Sequence, residues 1–241
     1  MDDLKPAHVV FAVTAYGPCW APAVSSWLGA VAVASRTMTV EHRGKIAGTG
    51  VTDRYYTHSA ENTLVKDFLA IEDATHLFFT EIDMILPSHT IPTLLALNKP
   101  CASGVYYLRN GNGQPCLYVK GFTEKSNPYP HSPVSVFPED RPFKLGEKGG
   151  CPGLGCVLIA REVFETVPYP WFDLQESKYG SDMFFFTKLR DAGYEVWVDP
   201  SVQCWQIDYT VVGIEDYHRR LKEDHAFAGS GYIIGAHHDE R

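Results

Sequence analysis

The stretch that most constrains this chain runs from His76 to Pro87, His-Leu-Phe-Phe-Thr-Glu-Ile-Asp-Met-Ile-Leu-Pro. Its first five residues are apolar without alternation, the pattern of a short strand buried on both faces of a mostly parallel sheet. Beyond the strand stand two acids, Glu81 and Asp83, separated only by Ile82. Ligands of open α/β sheets collect outside the carboxyl ends of the strands, where these two acids emerge. Two carboxylates there can hold a hard divalent cation and, through it, phosphate oxygens. The plainer alternative is that one acid favours the N-terminus of a following helix while the other is solvated.

The segments before this stretch predict an alternation of strand and helix. His8 to Thr14 is β-rich and nearly uninterrupted in apolar character. Trp20 to Val33 reads as a helix with Pro22 in its first turn. Thr37 to Glu41 reads as a second strand, and Lys45 to Tyr56, rich in glycine and threonine, as irregular. A helix from about Ser59 to Ile71 follows, with Ser59 as N-cap and an apolar stripe of Leu64, Val65, Phe68, Leu69 and Ile71. The order β-α-β-α-β favours a parallel sheet with right-handed crossovers.

Downstream, a helix is expected over Thr90 to Leu97 and a strand over Cys101 to Leu108. The run Asn110-Gly111-Asn112-Gly113 then turns the chain into a hairpin strand, Gln114 to Lys120. Gly121 to Pro142 is polar and proline-rich, the composition of a functional lid or binding loop, with only Val134 to Phe137 resembling a strand. Gly153 to Ala160 reads as a buried strand and Arg161 to Thr166 as a short helix. Pro168 to Phe172 is an aromatic segment that cannot be helical. Ser181 to Ala192 forms a helix stopped by Gly193, Glu195 to Val198 a strand, and Ile214 to Asp224 a helix. The tail from Ala226 is expected to be mobile or ordered by a ligand. No boundary divides the 241 residues. The chain reads as one domain with an N-terminal half to about residue 100, a second half to about residue 210, and a C-terminal helix and tail.

Net charge narrows the partners. At −8, the balance argues against a chain that coats nucleic acid by bulk charge, although it leaves room for a local basic groove. The six cysteines are scattered, and Met1 to Pro6 carries acids rather than an apolar leader. Both features predict reduced thiols in a cytoplasmic compartment, with a zinc site through Cys151 and Cys156 as the weaker alternative. No apolar stretch reaches transmembrane length.

Seven pieces occur in an order that resembles the GT-A fold of nucleotide-sugar glycosyltransferases in their small, stand-alone, family 2-like form. They are the first strand and its small polar loop, the acid-x-acid stretch Glu81-Ile82-Asp83, and Ser103-Gly104-Val105-Tyr106 with Arg109 beyond. Then come Gly153-Leu154-Gly155-Cys156, Pro170-Trp171-Phe172, Gly180-Ser181-Asp182-Met183, and the downstream Ala192-Gly193-Tyr194 and Val198-Asp199-Pro200. The resemblance spans about residues 8 to 206. It implies a mostly parallel Rossmann-like sheet with helices on both faces and a small antiparallel hairpin. It also implies Mn²⁺ or Mg²⁺ as cofactor and a nucleotide sugar, most readily a UDP-sugar, as donor. The acceptor would be a hydroxyl of a polysaccharide, a protein, a small molecule or a hydroxylated DNA base.

Residue by residue, the resemblance assigns Glu81 and Asp83 to the metal, with Ile82 between them at the donor. Thr14, Ala15 and Tyr16 would meet the base and ribose. Tyr16 either stacks on the base or packs at the rim. Asp53 and Arg54 would address the base or diphosphate, or stay solvated. Gly104 and Tyr106 would line the donor sugar, and Gly155 would leave it room or mark a tight packing point. Asp182 would be the general base of an inverting transfer, its alternative being a helix cap. Trp171 and Phe172 would stack on the acceptor or cover the sheet.

Three departures from the family pattern stand out. Glutamate replaces the usual aspartate at position 81. Gln206 stands where a histidine metal ligand is common, with Asp208 close by. Glu61-Asn62 replaces Arg-Asn, which removes a positive charge from the nucleotide side. The missing histidine keeps open a GT-A-like protein that binds nucleotide sugars without turning them over. A nucleotidyltransferase ranks lower, because Ala15-Tyr16-Gly17-Pro18 lacks a basic residue.

Overall fold

The computed structural model of the chain describes residues 6–15, 17–38, 44–53, 56–109, 113–120, 131–147, 149–174, 180–207, 211–223 and 232–233. Strand β1 (His8–Ala15) lies at the heart of the molecule, its side chains alternating between two apolar layers. Val9, Phe11 and Val13 enter one layer, and Val10 and Ala12 the other, as the two-residue period of a strand requires. Around it follow helix α1 (Ala21–Thr37), β2 (Lys45–Asp53), α2 (Thr57–Ala70), β3 (His76–Glu81), the two-residue β4 (Met84–Ile85) and α3 (Thr90–Ala96). Next come β5 (Cys101–Val105), β6 (Tyr118–Lys120), β7 (His131–Val136), β8 (Phe143–Lys144), β9 (Gly150–Cys151) and β10 (Cys156–Ala160). The chain continues through α4 (Arg161–Thr166), α5 (Ser181–Asp191), β11 (Trp197–Gln203), β12 (Trp205–Ile207), β13 (Val211–Val212), α6 (Ile214–Glu223) and β14 (Tyr232–Ile233).

Seven strands make the central sheet, in the order β2-β1-β3-β10-β5-β11-β8. β1 runs parallel to both β2 and β3, and β5 runs parallel to β11. Strand β10 is inserted antiparallel between β3 and β5, and β8 lies antiparallel at the edge. Helices α1 and α3 supply Trp27, Ala30, Ile91 and Leu94 to the apolar layer on one side. Helices α2, α4 and α5 supply Leu64, Phe68, Phe164, Phe185 and Leu189 to the other. The chain is therefore a mixed α/β protein with a mostly parallel central sheet sandwiched between helices.

Two smaller sheets complete it. One has the order β13-β12-β4 and braces the turn after β3; the other has the order β14-β7-β6-β9.

The largest departure from expectation is the second strand. Thr37 is the last residue of α1, not the start of a strand, and β2 is built from the segment read as irregular. Gly50 explains the choice. A Cβ there would sit 2.7 Å from Leu64 Cδ2, so the small residues of β2 let α2 close on the sheet edge. Residues 39–43 lie outside the described part. α2 begins at Thr57 with Tyr56 as N-cap, so Ser59 falls inside the helix.

The Gly153 strand starts only at Cys156, because Gly153 takes a positive φ of 67° and a Cβ there would overlap the Tyr106 hydroxyl. The expected hairpin after β5 shrinks to a bridge between Tyr107 and Pro115, with Leu108 N–H donating to the Gln114 carbonyl at 2.8 Å. Strand β6 pairs instead with β7 and β9. The last sheet strand extends beyond Val198 to Gln203. Residues 121–130 of the lid region and nearly all of the tail, together with Asn110 to Asn112, fall outside the described residues. The described part of the lid region begins with β7, which starts at His131 rather than at Val134, and β14 represents the tail.

Among the described residues no helix is long and apolar enough to cross a membrane. All six cysteines are free thiols.

Candidate functional site

The acid-x-acid turn is clamped from two sides. On one side, α1 offers Trp27, whose Nε1–H donates to the Met84 carbonyl at 2.8 Å, and Ser26, whose hydroxyl accepts from Leu86 N–H at 3.0 Å. On the other, β4 pairs antiparallel with β12, and Ile207 N–H donates to the Asp83 carbonyl at 2.8 Å. Ile82 N–H reaches the Thr14 carbonyl at 3.2 Å, which ties the end of β3 to the end of β1. The turn is thus held in backbone hydrogen bonds, leaving its two carboxyl side chains to set the chemistry.

Asp83 is buried, at 4% exposure. Its Oδ2 receives Arg109 Nη1 at 3.0 Å and Gln206 Nε2 at 3.2 Å. Glu81 is part-buried at the end of β3, in register with Thr14. Burial pushes its carboxyl up to about 8, with Asp83 and then Asp182 repelling its charge and Arg109 opposing them. Asp182 sits in the first turn of α5. Burial raises its pKa too, while the N–H groups of Met183 and of Asp182 itself pull it back. The Met183 bond to Asp182 Oδ1 is 2.7 Å long. Both Asp83 and Asp182 act on the charge of Glu81, so the fold gathers acids a hundred residues apart in sequence at one edge of the sheet.

A fourth acid joins them. Glu61 of α2 is only 2% exposed, receives the Ser181 hydroxyl, and is repelled by both Asp182 and Glu81. Burial is the main cause that lifts its pKa to about 8. In the sequence Glu61 reads only as a lost positive charge, although a signal is present. Glu61, Leu64, Val65 and Phe68 follow the i, i+3, i+4, i+7 pattern of a buried helix face, and an acid on such a face needs a reason.

The remaining predicted residues fall at varying distances from the chemistry. Thr14 and Ala15 end β1 beside the acid turn, both buried. Asp53 closes β2 opposite Ala15. Tyr16, Arg54, Asp208 and the side chain of Asp53 lie outside the described residues. Tyr106 is buried; its hydroxyl accepts from Gly155 N–H at 3.4 Å, and burial raises its pKa well above the usual range, with Cys116, Glu81 and Asp182 among the further causes. Gly155 has no spare room: a Cβ would meet the Tyr106 ring at 2.9 Å and Met84 Sδ at 3.1 Å. Gly104 packs against Val202 and Cys156, whose atoms would stand 2.6 and 2.9 Å from a Cβ. Both glycines act as tight packing points, Gly104 within β5 and Gly155 just before β10.

Trp171 and Phe172 cover the sheet. Trp171 is 7% exposed and donates through Nε1 to the carbonyls of Phe164 and Val167 at 3.0 and 2.9 Å. Phe172 is 1% exposed and stacks on Phe185, with ring centroids 4.8 Å apart. Neither offers a free face to an acceptor.

Whether these residues fit a divalent cation rests on the donor set. Among the described residues no three His, Cys, Asp or Glu side chains are arranged to hold an ion. Gln206 turns its NH₂ toward Asp83 and acts there as a hydrogen-bond donor, not through its carbonyl. What remains is Glu81 and Asp83, in an acid cluster opposed by Arg109. Such a pair fits Mg²⁺ or Mn²⁺ of the kind that keeps most of its positions for phosphate oxygens and water, since Mg²⁺ is commonly held by one or two carboxylates plus a phosphate substrate.

The fold has solved counterparts. A197 from STIV, known from its crystal structure, superposes with a TM-score of 0.55 at 16% identity, over 83% of this chain and 86% of that one. At that identity the likeness concerns the fold alone. No protein-family model matches the chain, and no curated protein matches it.

Proposed function

We propose that the chain is a metal-dependent glycosyltransferase, moving a sugar from a nucleoside diphosphate sugar to a hydroxyl acceptor with inversion. The observation that carries this reading is the convergence of Glu81, Asp83 and Asp182 at the carboxyl edge of the central sheet. In sheets of this kind that edge is where nucleotides bind.

The donor diphosphate would lie over the turn between β3 and β4, where Asp83 and Glu81, the latter giving up its proton, would hold a Mg²⁺ or Mn²⁺ ion. Once bound, the cation supplies neutralising charge for the departing diphosphate. Arg109, half-exposed at the mouth of the site, adds a positive charge on the same side. Thr14 and Ala15 shape the floor under the base and ribose. Asp182 takes the proton from the attacking hydroxyl; its raised pKa brings a carboxylate closer to the range useful to a general base. The gathering of acids that repel one another is costly to the fold, and such costs are typical of functional sites.

One observation favours a second reading. Asp83 Oδ2 is already satisfied by Arg109 and Gln206, as in a protein that binds nucleotide sugars and has given up turnover. Release of UDP from UDP-glucose, UDP-galactose or UDP-N-acetylglucosamine in the presence of Mn²⁺ separates the two. The transferase reading requires release, at least slowly to water. Binding without release of nucleoside diphosphate from any sugar nucleotide supports the second reading instead.

A further inference from the structure

Helix α2 brings two adjacent side chains, Glu61 and Asn62, to the junction between the site and the segments of the second half that face it. Asn62 Nδ2 donates to the Phe172 carbonyl at 2.7 Å, and its Oδ1 accepts from Trp171 N–H at 3.1 Å and Phe172 N–H at 3.3 Å. Its neighbour Glu61 takes the Ser181 hydroxyl, one residue before Asp182. One turn of α2 therefore sets the register of both the aromatic segment and the first turn of α5.

Glu61 is a poor choice for a purely structural bond. It is 2% exposed, its Oε2 has no hydrogen-bond partner among the described residues, and it stands among Asp182 and Glu81. A buried carboxyl oxygen left without a partner costs stability that a smaller hydroxyl or an apolar residue would save. The burden falls beside the one group that the proposed reaction needs as a base.

We propose that Glu61 is a positioning residue for Asp182, holding Ser181 and with it the N-terminal turn of α5 against the carboxyl edge of β1 and β3. This rests on the transferase reading for its consequence, but not for its geometry. A glutamine keeps the size of Glu61 and its capacity to accept from the Ser181 hydroxyl.

The test compares Glu61→Ala, Glu61→Gln and Ser181→Ala. With UDP-glucose and MnCl₂, Glu61→Ala and Ser181→Ala are expected to lower kcat at least tenfold while the Kd for UDP stays within twofold. Glu61→Gln is expected to recover most of that loss. An alanine variant that keeps wild-type kcat, or a glutamine variant that falls as far as alanine, overturns the proposal. Should Glu61→Ala fail to fold, Ser181→Ala, which removes a single oxygen, carries the same comparison.

Amide hydrogen exchange over residues 181–186 serves if the wild-type chain turns over no sugar nucleotide. That result defeats the transferase reading alone. The positioning claim then stands if exchange there quickens in Glu61→Ala and Ser181→Ala but returns to the wild-type rate in Glu61→Gln, and falls if the three variants and the wild type exchange alike.

Discussion

Arg109 Nη1 lies 3.0 Å from Asp83 Oδ2, so a buried acid of the site is neutralised from within the chain before any ligand arrives. The guanidinium is half exposed and Asp83 is buried, which places the pair at the boundary between the site and solvent. A cation entering at Asp83 must share that carboxylate with Arg109 or displace it. Arg109 then becomes free to meet a diphosphate.

Arg109→Gln is accordingly expected to act in opposite directions on the two ligands. Without nucleotide, Mn²⁺ binds more tightly, since Asp83 has lost a competing cation. UDP binds more weakly with Mn²⁺ saturating, by ~1 kcal/mol or about fivefold, the scale of a partly exposed charge pair. Isothermal titration with MnCl₂ and then with UDP measures both. An unchanged affinity for Mn²⁺ removes Arg109 from competition at Asp83.

Asp182→Asn preserves the shape of the first turn of α5 but cannot take a proton. Turnover is expected to fall by about 10² to 10⁴, the usual worth of a general base. The Kd for UDP with Mn²⁺ should stay within twofold. Asp83→Asn should do the reverse, abolishing the effect of Mn²⁺ on nucleotide binding. Wild-type turnover in Asp182→Asn would show that the base is another group.

The pH dependence of stability follows from the buried acids. Glu61 and Glu81 hold their protons to about 8 in the folded chain, against an ordinary 4.5. The folded state therefore binds more protons than the unfolded state across that window, and stability falls as pH rises through it. His76 works the other way: burial holds its pKa near 4 against an ordinary 6.5, so its contribution is lost as pH falls from 6.5 to 4. Between pH 6.5 and 8 only the acids act. Melting temperature should drop over that interval, each acid costing on the order of a few kcal/mol in full. Glu61→Gln should flatten the slope. A melting temperature that rises from pH 6.5 to 8 contradicts the assignment.

Asn62→Ala removes the anchor of Trp171 and Phe172 and leaves their backbone N–H groups without its amide oxygen. The loss expected is about 2 to 3 kcal/mol. It is measured as a lower urea midpoint at unchanged slope. A change under half a unit of kcal/mol, roughly the scale of an ordinary surface substitution, would mean that the aromatic segment is held by packing alone.

Much of this arrangement was legible in the residues. The apolar runs at His8 and His76 are strands because residues of that kind can be buried on both faces, and the acids after the second emerge where strand geometry puts them. Asp182 stands out only through the resemblance, since an acid at a helix start such as Gly180-Ser181 reads first as a cap. The β2 strand was hidden, because its glycines serve packing against Leu64 and Ile71, contacts no local pattern records. The same holds for Gly104 and Gly155, whose missing side chains admit Val202, Cys156 and the Tyr106 ring. Trp171 and Phe172 read equally as platform or cover, and only their burial against Phe164 and Phe185 decides for cover. The ion pair of Arg109 with Asp83 joins residues whose approach depends on the whole sheet.

The central claim is that Glu81 and Asp83 together present a cation to a nucleoside diphosphate. It is met most directly by thermal denaturation with UDP, GDP and ADP and their sugars, each with and without MnCl₂. Ligand binding to the folded state raises the melting temperature by linkage. The account predicts a selective rise for one nucleotide series that requires Mn²⁺ and disappears in Asp83→Asn. No shift with any nucleotide, or a shift indifferent to both the metal and Asp83, contradicts it.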